Sequence, residues 1–287
     1  MPYPIIHIGY SKTATTWFQK FYFPNVKNAQ FIDKKSTNKL IFCEYPNYVP
    51  FFNRGRILLS SEGISGPVGY TVLEEKQWKL NAQRLASIFP DAKIIIFIRN
   101  QIDMMTSIYS QYLRNGGTYS PNKYFFSANN YFKKSFLEYH YLIEYYKQIF
   151  SKTHIFAYEE FADEPVKFIR KFERELGINA LLDYNLLNVI QNPSIIDNNF
   201  FLIRFINQFI NTPTIPKLHI ATIPKAVNIR NMLFRSRKEK GRFKRKNKKQ
   251  LLSPRETLFL KEYYANSNTI LLNDHGLTFV KEYNYPL

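Results

Sequence analysis

The 287 residues are 45% hydrophobic and 17% aromatic, enough apolar content for one sizeable core and too much for a disordered chain. A formal net charge of +18, from 40 Lys+Arg against 22 Asp+Glu, suits partners rich in phosphate or sulfate. The single cysteine, Cys43, excludes an intrachain disulfide; no window approaches the roughly 18 apolar residues of a membrane span, and no signal peptide is visible, so a cytoplasmic chain is expected.

Tyr3–Ile8 predicts a short buried strand ended by Gly9, and Thr15–Phe23 a helix stopped by Pro24. Arg56–Ser60 predicts a second strand, which should lie beside the first. Leu73–Phe89 has helical spacing and is closed by Pro90. Lys93–Ile98 is a continuous β-branched and aromatic run, the pattern of a parallel strand covered on both faces. Helices are expected at Ile102–Leu113 and Tyr131–Phe150, a strand at His154–Tyr158, and a helix at Pro165–Leu176 closed by Gly177. Strands alternating with helices give an α/β class: three layers, with a central parallel β-sheet flanked by helices.

After Gly177 the pattern changes. One helix is expected within Ile195–Ile210, with Phe201, Phe205 and Phe209 on one face, favoured for packing in the core or a dimer over contact with an acceptor or membrane surface. Further helices are expected over Pro254–Ala265 and near Asn268–Leu272. From Arg235 to Lys249, ten Lys and Arg face Glu239 alone, a local charge of +9, half the total. The chain thus reads as one domain, 1–287, with a donor-binding core (1–177) and a mainly helical acceptor or closing region (178–287) carrying the basic loop 235–249.

The stretch Gly9-Tyr10-Ser11-Lys12-Thr13-Ala14-Thr15-Thr16-Trp17 falls between a strand and a helix. There, backbone N–H groups and the positive end of a helix dipole converge on one spot that suits phosphate. Lys12 adds a mobile cation and Thr13, Thr15 and Thr16 add hydroxyls. No Gly-Lys pair occurs anywhere, so this is not the Gly-Lys-Ser/Thr loop of ATPases and GTPases.

Lys12-Thr13-Ala14-Thr15-Thr16-Trp17 resembles the 5'-phosphosulfate loop of PAPS-dependent sulfotransferases (PAPS is 3'-phosphoadenosine 5'-phosphosulfate), usually Lys-x-Gly-Thr-Thr, with Ala14 in place of Gly. A left-handed backbone at Ala14 would be strained. The same family holds the donor's 3'-phosphate with an Arg at a strand end and a Ser eight residues later; Arg99 and Ser107 match that spacing after Ile94–Ile98. Tyr158-Glu159-Glu160-Phe161 resembles a structural segment of the family. The resemblance spans roughly Tyr3–Gly177 and implies a P-loop-NTPase-like sulfotransferase fold, PAPS as donor, PAP (adenosine 3',5'-bisphosphate) as product and no metal.

Within that resemblance, Lys12 is the residue to stabilise the leaving oxygen. Glu62, after the second strand, resembles the catalytic Glu of glycan sulfotransferases, which places the chain closer to glycan and bacterial-type enzymes than to cytosolic small-molecule ones. The alternative for Glu62 is a turn carboxylate paired with a lysine. His7 and His140 read as buried packing residues. Lys240, Gly241 and Arg242 match a late loop that closes the donor site in family members, or else form a solvated cationic loop. The acceptor is a hydroxyl or amine; an acidic saccharide or glycolipid is favoured, and peripheral contact with a membrane surface stays open. The competing functions are a P-loop-type small-molecule kinase and a non-enzymatic binder of nucleic acid or acidic polymer; no specific nucleic-acid motif is present.

Overall fold

The computed structural model describes residues 3–42, 55–66, 75–127, 131–188, 200–210 and 251–287. Five strands form one sheet: β1 (Ile5–His7), β2 (Gln30–Ile32), β3 (Ile57–Ser60), β4 (Lys93–Ile98) and β5 (Lys152–Ala157). Their order is β2-β3-β1-β4-β5, and every pairing is parallel. Parallel neighbours need crossovers, and helices supply them. The helices between strands are α1 (Thr15–Trp17), α2 (Lys34–Phe42), α3 (Glu75–Ile88), α4 (Gln101–Arg114), α5 (Pro121–Phe125) and α6 (Tyr139–Ile149), and α7 (Tyr158–Asp163) and α8 (Pro165–Leu176) follow β5. Beyond them lie α9 (Phe200–Asn207), α10 (Pro254–Asn273) and α11 (Phe279–Glu282).

The period of two in a strand sorts β4 between two cores. Ile94, Ile96 and Ile98 join a cluster with Leu85 of α3, Ile108 of α4, Ile143 of α6 and Leu260 of α10. Ile95 and Phe97 face the other side, against Phe18 and Tyr22 after α1 and Phe168, Ile169 and Phe172 of α8. The three-layer α/β expectation therefore holds, with β1 and β3 adjacent.

Local chemistry sets several element ends. Pro165 opens α8, and Gly177, at φ 65°, closes it. Ser253 and Glu256 form a capping box at the start of α10. That helix runs unbroken through the two segments expected separately. Tyr131–Phe150 is helical only from Tyr139, after a 3₁₀ turn at Lys134–Leu137. The helix from Thr15 passes into a π-helical segment, Phe18–Tyr22, before Pro24 falls in a 3₁₀ turn. On α9, Ile203 and Ile206 are buried while Phe201 and Phe205 are 75% and 52% exposed, and Phe209 just beyond the helix packs half-buried against Ile206 and Ile210, so among the described residues that aromatic face is only partly packed.

His7 is buried in β1, with Ser60 Oγ 2.8 Å from its Nδ1 and the rings of Phe23 and Phe97 at 5.4 and 5.3 Å. Burial pushes its pKa down from 6.5 to about 4, against an opposing pull from the Glu62 charge. Below pH 6.5 the unfolded chain therefore takes up a proton that the folded chain refuses. Stability present near neutral pH is lost as pH falls towards 4, by about 3 kcal/mol at 1.36 kcal/mol per pH unit. Urea unfolding of wild type and His7→Asn at pH 7 and pH 4.5 checks this; equal losses in both proteins would refute it.

Candidate active site

All five strands run the same way, so the loops after them gather at one end of the sheet, where open α/β sheets bind ligands. The loop after β1 starts with Gly9. A Cβ there would lie 2.9 Å from the Phe97 backbone nitrogen, so only glycine permits this approach to β4. Lys12 and Ala14 both adopt left-handed backbone, with φ 70° and 62°. Each such residue costs about 1–2 kcal/mol. Left-handed residues in such a turn can aim neighbouring backbone N–H groups at one anion. Thr13 and Thr15 direct their hydroxyls at the Tyr10 carbonyl, and Thr13 is fully buried, so these two side chains brace the loop. Thr16 is half-buried on the first turn. Trp17 is buried against Phe161 and donates from Nε1 to the Leu186 carbonyl at 2.9 Å.

Arg99 leaves the end of β4 and is 8% exposed. Its Nη1 donates to the Lys12 carbonyl at 3.1 Å, and its guanidinium lies 4.4 Å from the centre of the Tyr158 ring. Tyr139 donates to the Arg99 carbonyl at 2.7 Å. The Nε of Arg99 is buried with no partner among the described residues. A buried, unsatisfied cationic donor beside a strained anion loop fits a phosphate or sulfate ligand.

Around Arg99 the protein is stitched to its last described residues. Asn100 caps α4 through Ile102 N and donates from its side chain to the carbonyls of Tyr283 and Asn284 at 3.3 and 2.8 Å. Glu159, buried on α7, accepts from Asn100 N and from the Tyr285 hydroxyl, both at 2.9 Å. Burial pushes the Glu159 carboxyl above its ordinary value, against these hydrogen bonds and the Arg99 charge.

Ser107 is buried on α4. Gln111 and Arg114 follow it at helical spacing on the same stripe. Lys12 Nζ donates to Gln111 Oε1 at 3.3 Å, which ties the loop to this stripe. Burial, Arg114 and Arg99 lower the Lys12 pKa to about 8, the mark of several cations crowded into one partly dry place.

Glu62 stands beside this cluster. Ser61 N donates to the His7 carbonyl at 3.0 Å, and Ser65 Oγ to the Gly9 carbonyl at 3.4 Å, so the turn Glu62–Ile64 is bound to the loop after β1. Glu62 accepts from Gln19 Nε2 at 3.2 Å and forms an ion pair with Lys34 of α2. Burial alone would raise its pKa, but Lys34, the local backbone and Gln19 together hold it below the usual glutamate value.

The fold therefore brings Lys12, Thr16, Arg99, Ser107 and Glu62 to one end of the sheet, with Thr13, Thr15 and Trp17 in its framework. The paired-carboxylate alternative for Glu62 is realised as a contact with Lys34, which favours the ionised carboxylate. Lys240, Gly241 and Arg242 lie outside the described residues. Sequence reasoning missed Gln19, Lys34, Gln111 and Arg114. For Gln111 and Arg114 a signal existed, the four- and seven-residue spacing from Ser107. Among the described residues, no group of three or more His, Cys, Asp or Glu could hold a metal ion, and no helix is long and apolar enough to cross a membrane.

Comparison with known proteins bears on this geometry. The family model of the sulfotransferase domain matches residues 2–198. Among solved structures, the chain is similar to a sulfotransferase from Alicyclobacillus acidocaldarius at 16% identity, over 72% of this chain and 94% of that one, with a TM-score of 0.48. It is similar at the same identity and TM-score to mouse sulfotransferase SULT7A1 complexed with PAP, over 100% of this chain and 90% of that one. No curated protein matches.

Proposed function

The chain belongs to the sulfotransferase domain family, and we propose that it moves a sulfuryl group from PAPS to an acceptor hydroxyl, with a saccharide as the favoured acceptor, releasing PAP. The observation that best supports the donor assignment is the Arg99 Nη1 bond to the Lys12 carbonyl, which holds the two motif residues next to each other.

In this reading Arg99 and Ser107 hold the 3'-phosphate, and the loop Lys12–Trp17 cradles the 5' end. Glu62 removes the acceptor proton as the acceptor oxygen bonds to sulfur. The bridging S–O bond breaks and its electron pair stays on the 5'-phosphate oxygen, where Lys12 stabilises the charge. Gln111 keeps Lys12 aimed.

Calorimetric titration with PAP tests the donor assignment. Wild type binds PAP with Kd on the order of micromolar or tighter, Arg99→Ala weakens it by about 30-fold or more, and ATP with magnesium does not compete. Equal affinity in wild type and Arg99→Ala would sink the donor assignment.

A further inference from the structure

The groove along α2, next to Glu62, belongs to no part of the donor site. It is lined by Lys34, Lys35, Asn38, Lys39 and Phe42, which fall on one stripe of the helix. Three cations line it and no carboxylate does. Phe42 is 36% exposed, so an apolar ring lies open at the end of a cationic row. Asp33 anchors the helix start, accepting from the backbone N–H groups of Lys35 and Ser36 at 2.8 and 3.1 Å.

The groove is fastened to the base. Lys34 pairs with Glu62, and Ser61 Oγ donates to Asn38 Oδ1 at 2.6 Å. The Phe42 ring packs on Gly63, where an added Cβ would lie 3.7 Å from it. Whatever occupies the groove is thus held at a set offset from the Glu62 carboxylate.

We propose that this groove is the acceptor subsite for an acidic saccharide: Lys35 and Lys39 take its carboxylate or sulfate, Phe42 meets the apolar face of the ring, and a neighbouring hydroxyl reaches Glu62. The proposal rests on Glu62 as the base of the transfer reaction. Its chemistry is that of the groove itself: ammonium groups for an anion, an aromatic face for sugar C–H groups and an amide for hydroxyls. It also gives Lys34 a second part. An anion seated beside it competes with Glu62 for the ammonium, so occupancy of the groove loosens the pair and frees the carboxylate as proton acceptor.

The test is calorimetry on the PAP-loaded full chain. The probes are a hyaluronan tetrasaccharide, a chondroitin 4-sulfate tetrasaccharide and neutral chitotetraose. One or both acidic probes bind at least about tenfold more tightly than chitotetraose, and Lys35→Ala/Lys39→Ala removes that preference while PAP affinity is unchanged. Phe42→Ala weakens both acidic and neutral sugars. Acidic binding that survives the double substitution would place the anion elsewhere and overturn the proposal. So would vesicles of phosphatidylserine that bind through Lys35 and Lys39 when neither acidic sugar does. Loss of PAP binding in wild type would instead overturn the donor assignment, so the two failures are distinct.

Discussion

Replacing Lys12 with Ala lowers kcat by about 10²–10³-fold, the loss typical of one preorganised donor aimed at a developing negative charge. The mutation isolates the side chain because Ala keeps the Cβ and with it the same strain at φ 70°. It also removes a cation whose pKa burial and the neighbouring Arg114 and Arg99 have lowered to about 8, so folding stability does not fall with activity. Single-turnover sulfuryl transfer beside thermal unfolding measures both. The same lowered pKa sets a pH dependence. Lys12 loses its proton as pH rises through about 8 in the free protein, so donor affinity declines above that point and binding there takes up a proton. Full activity in Lys12→Ala would remove Lys12 from the mechanism.

Glu62→Gln lowers kcat by about 10²–10⁴-fold and leaves PAP affinity unchanged. Gln retains an oxygen for Gln19 and Lys34 but cannot accept the acceptor proton. The lost ion pair costs little stability, since Lys34 is 45% exposed and such pairs are worth about 0–1 kcal/mol. Wild-type kcat/KM should decline on the acid side only at pH values below the ordinary glutamate range, because Lys34 and Gln19 hold the carboxyl down. A drop of less than about threefold in Glu62→Gln would assign the proton to another group, against the usual size of general-base effects.

The central sheet was legible because Lys93–Ile98 has no polar face to hide: both sides of β4 are covered, and a run of β-branched residues has few other places to go. Edge strand β2 was not legible. Its three residues are partly exposed, too short for any period to show. The break expected between Ala265 and Asn268 disappears because Asn268 turns its polar side chain to tertiary use, bonding Gln101 and the Pro286 carbonyl from within an unbroken helix. At the candidate site, Lys12, Arg99 and Ser107 could be read through their resemblance to sulfotransferase motifs, which follow strand ends, and the segments that carry them do lie at one end of the sheet. Lys34 and Gln19 could not, since Lys34 reaches Glu62 only after β2 pairs with β3, and Gln19 only after β1 does.

The tie between Asn100 and residues 283–285 also bears on biosynthesis. The loop after β1 is synthesised some 270 residues before Tyr285, which donates to Glu159 beside Arg99. Until residues 283–285 are made, a nascent chain has the loop without the contacts that brace Asn100 and Glu159. A variant cut before Asn284 is therefore expected to keep the loop after β1 while losing the hydrogen bonds that brace Asn100 and Glu159 beside Arg99.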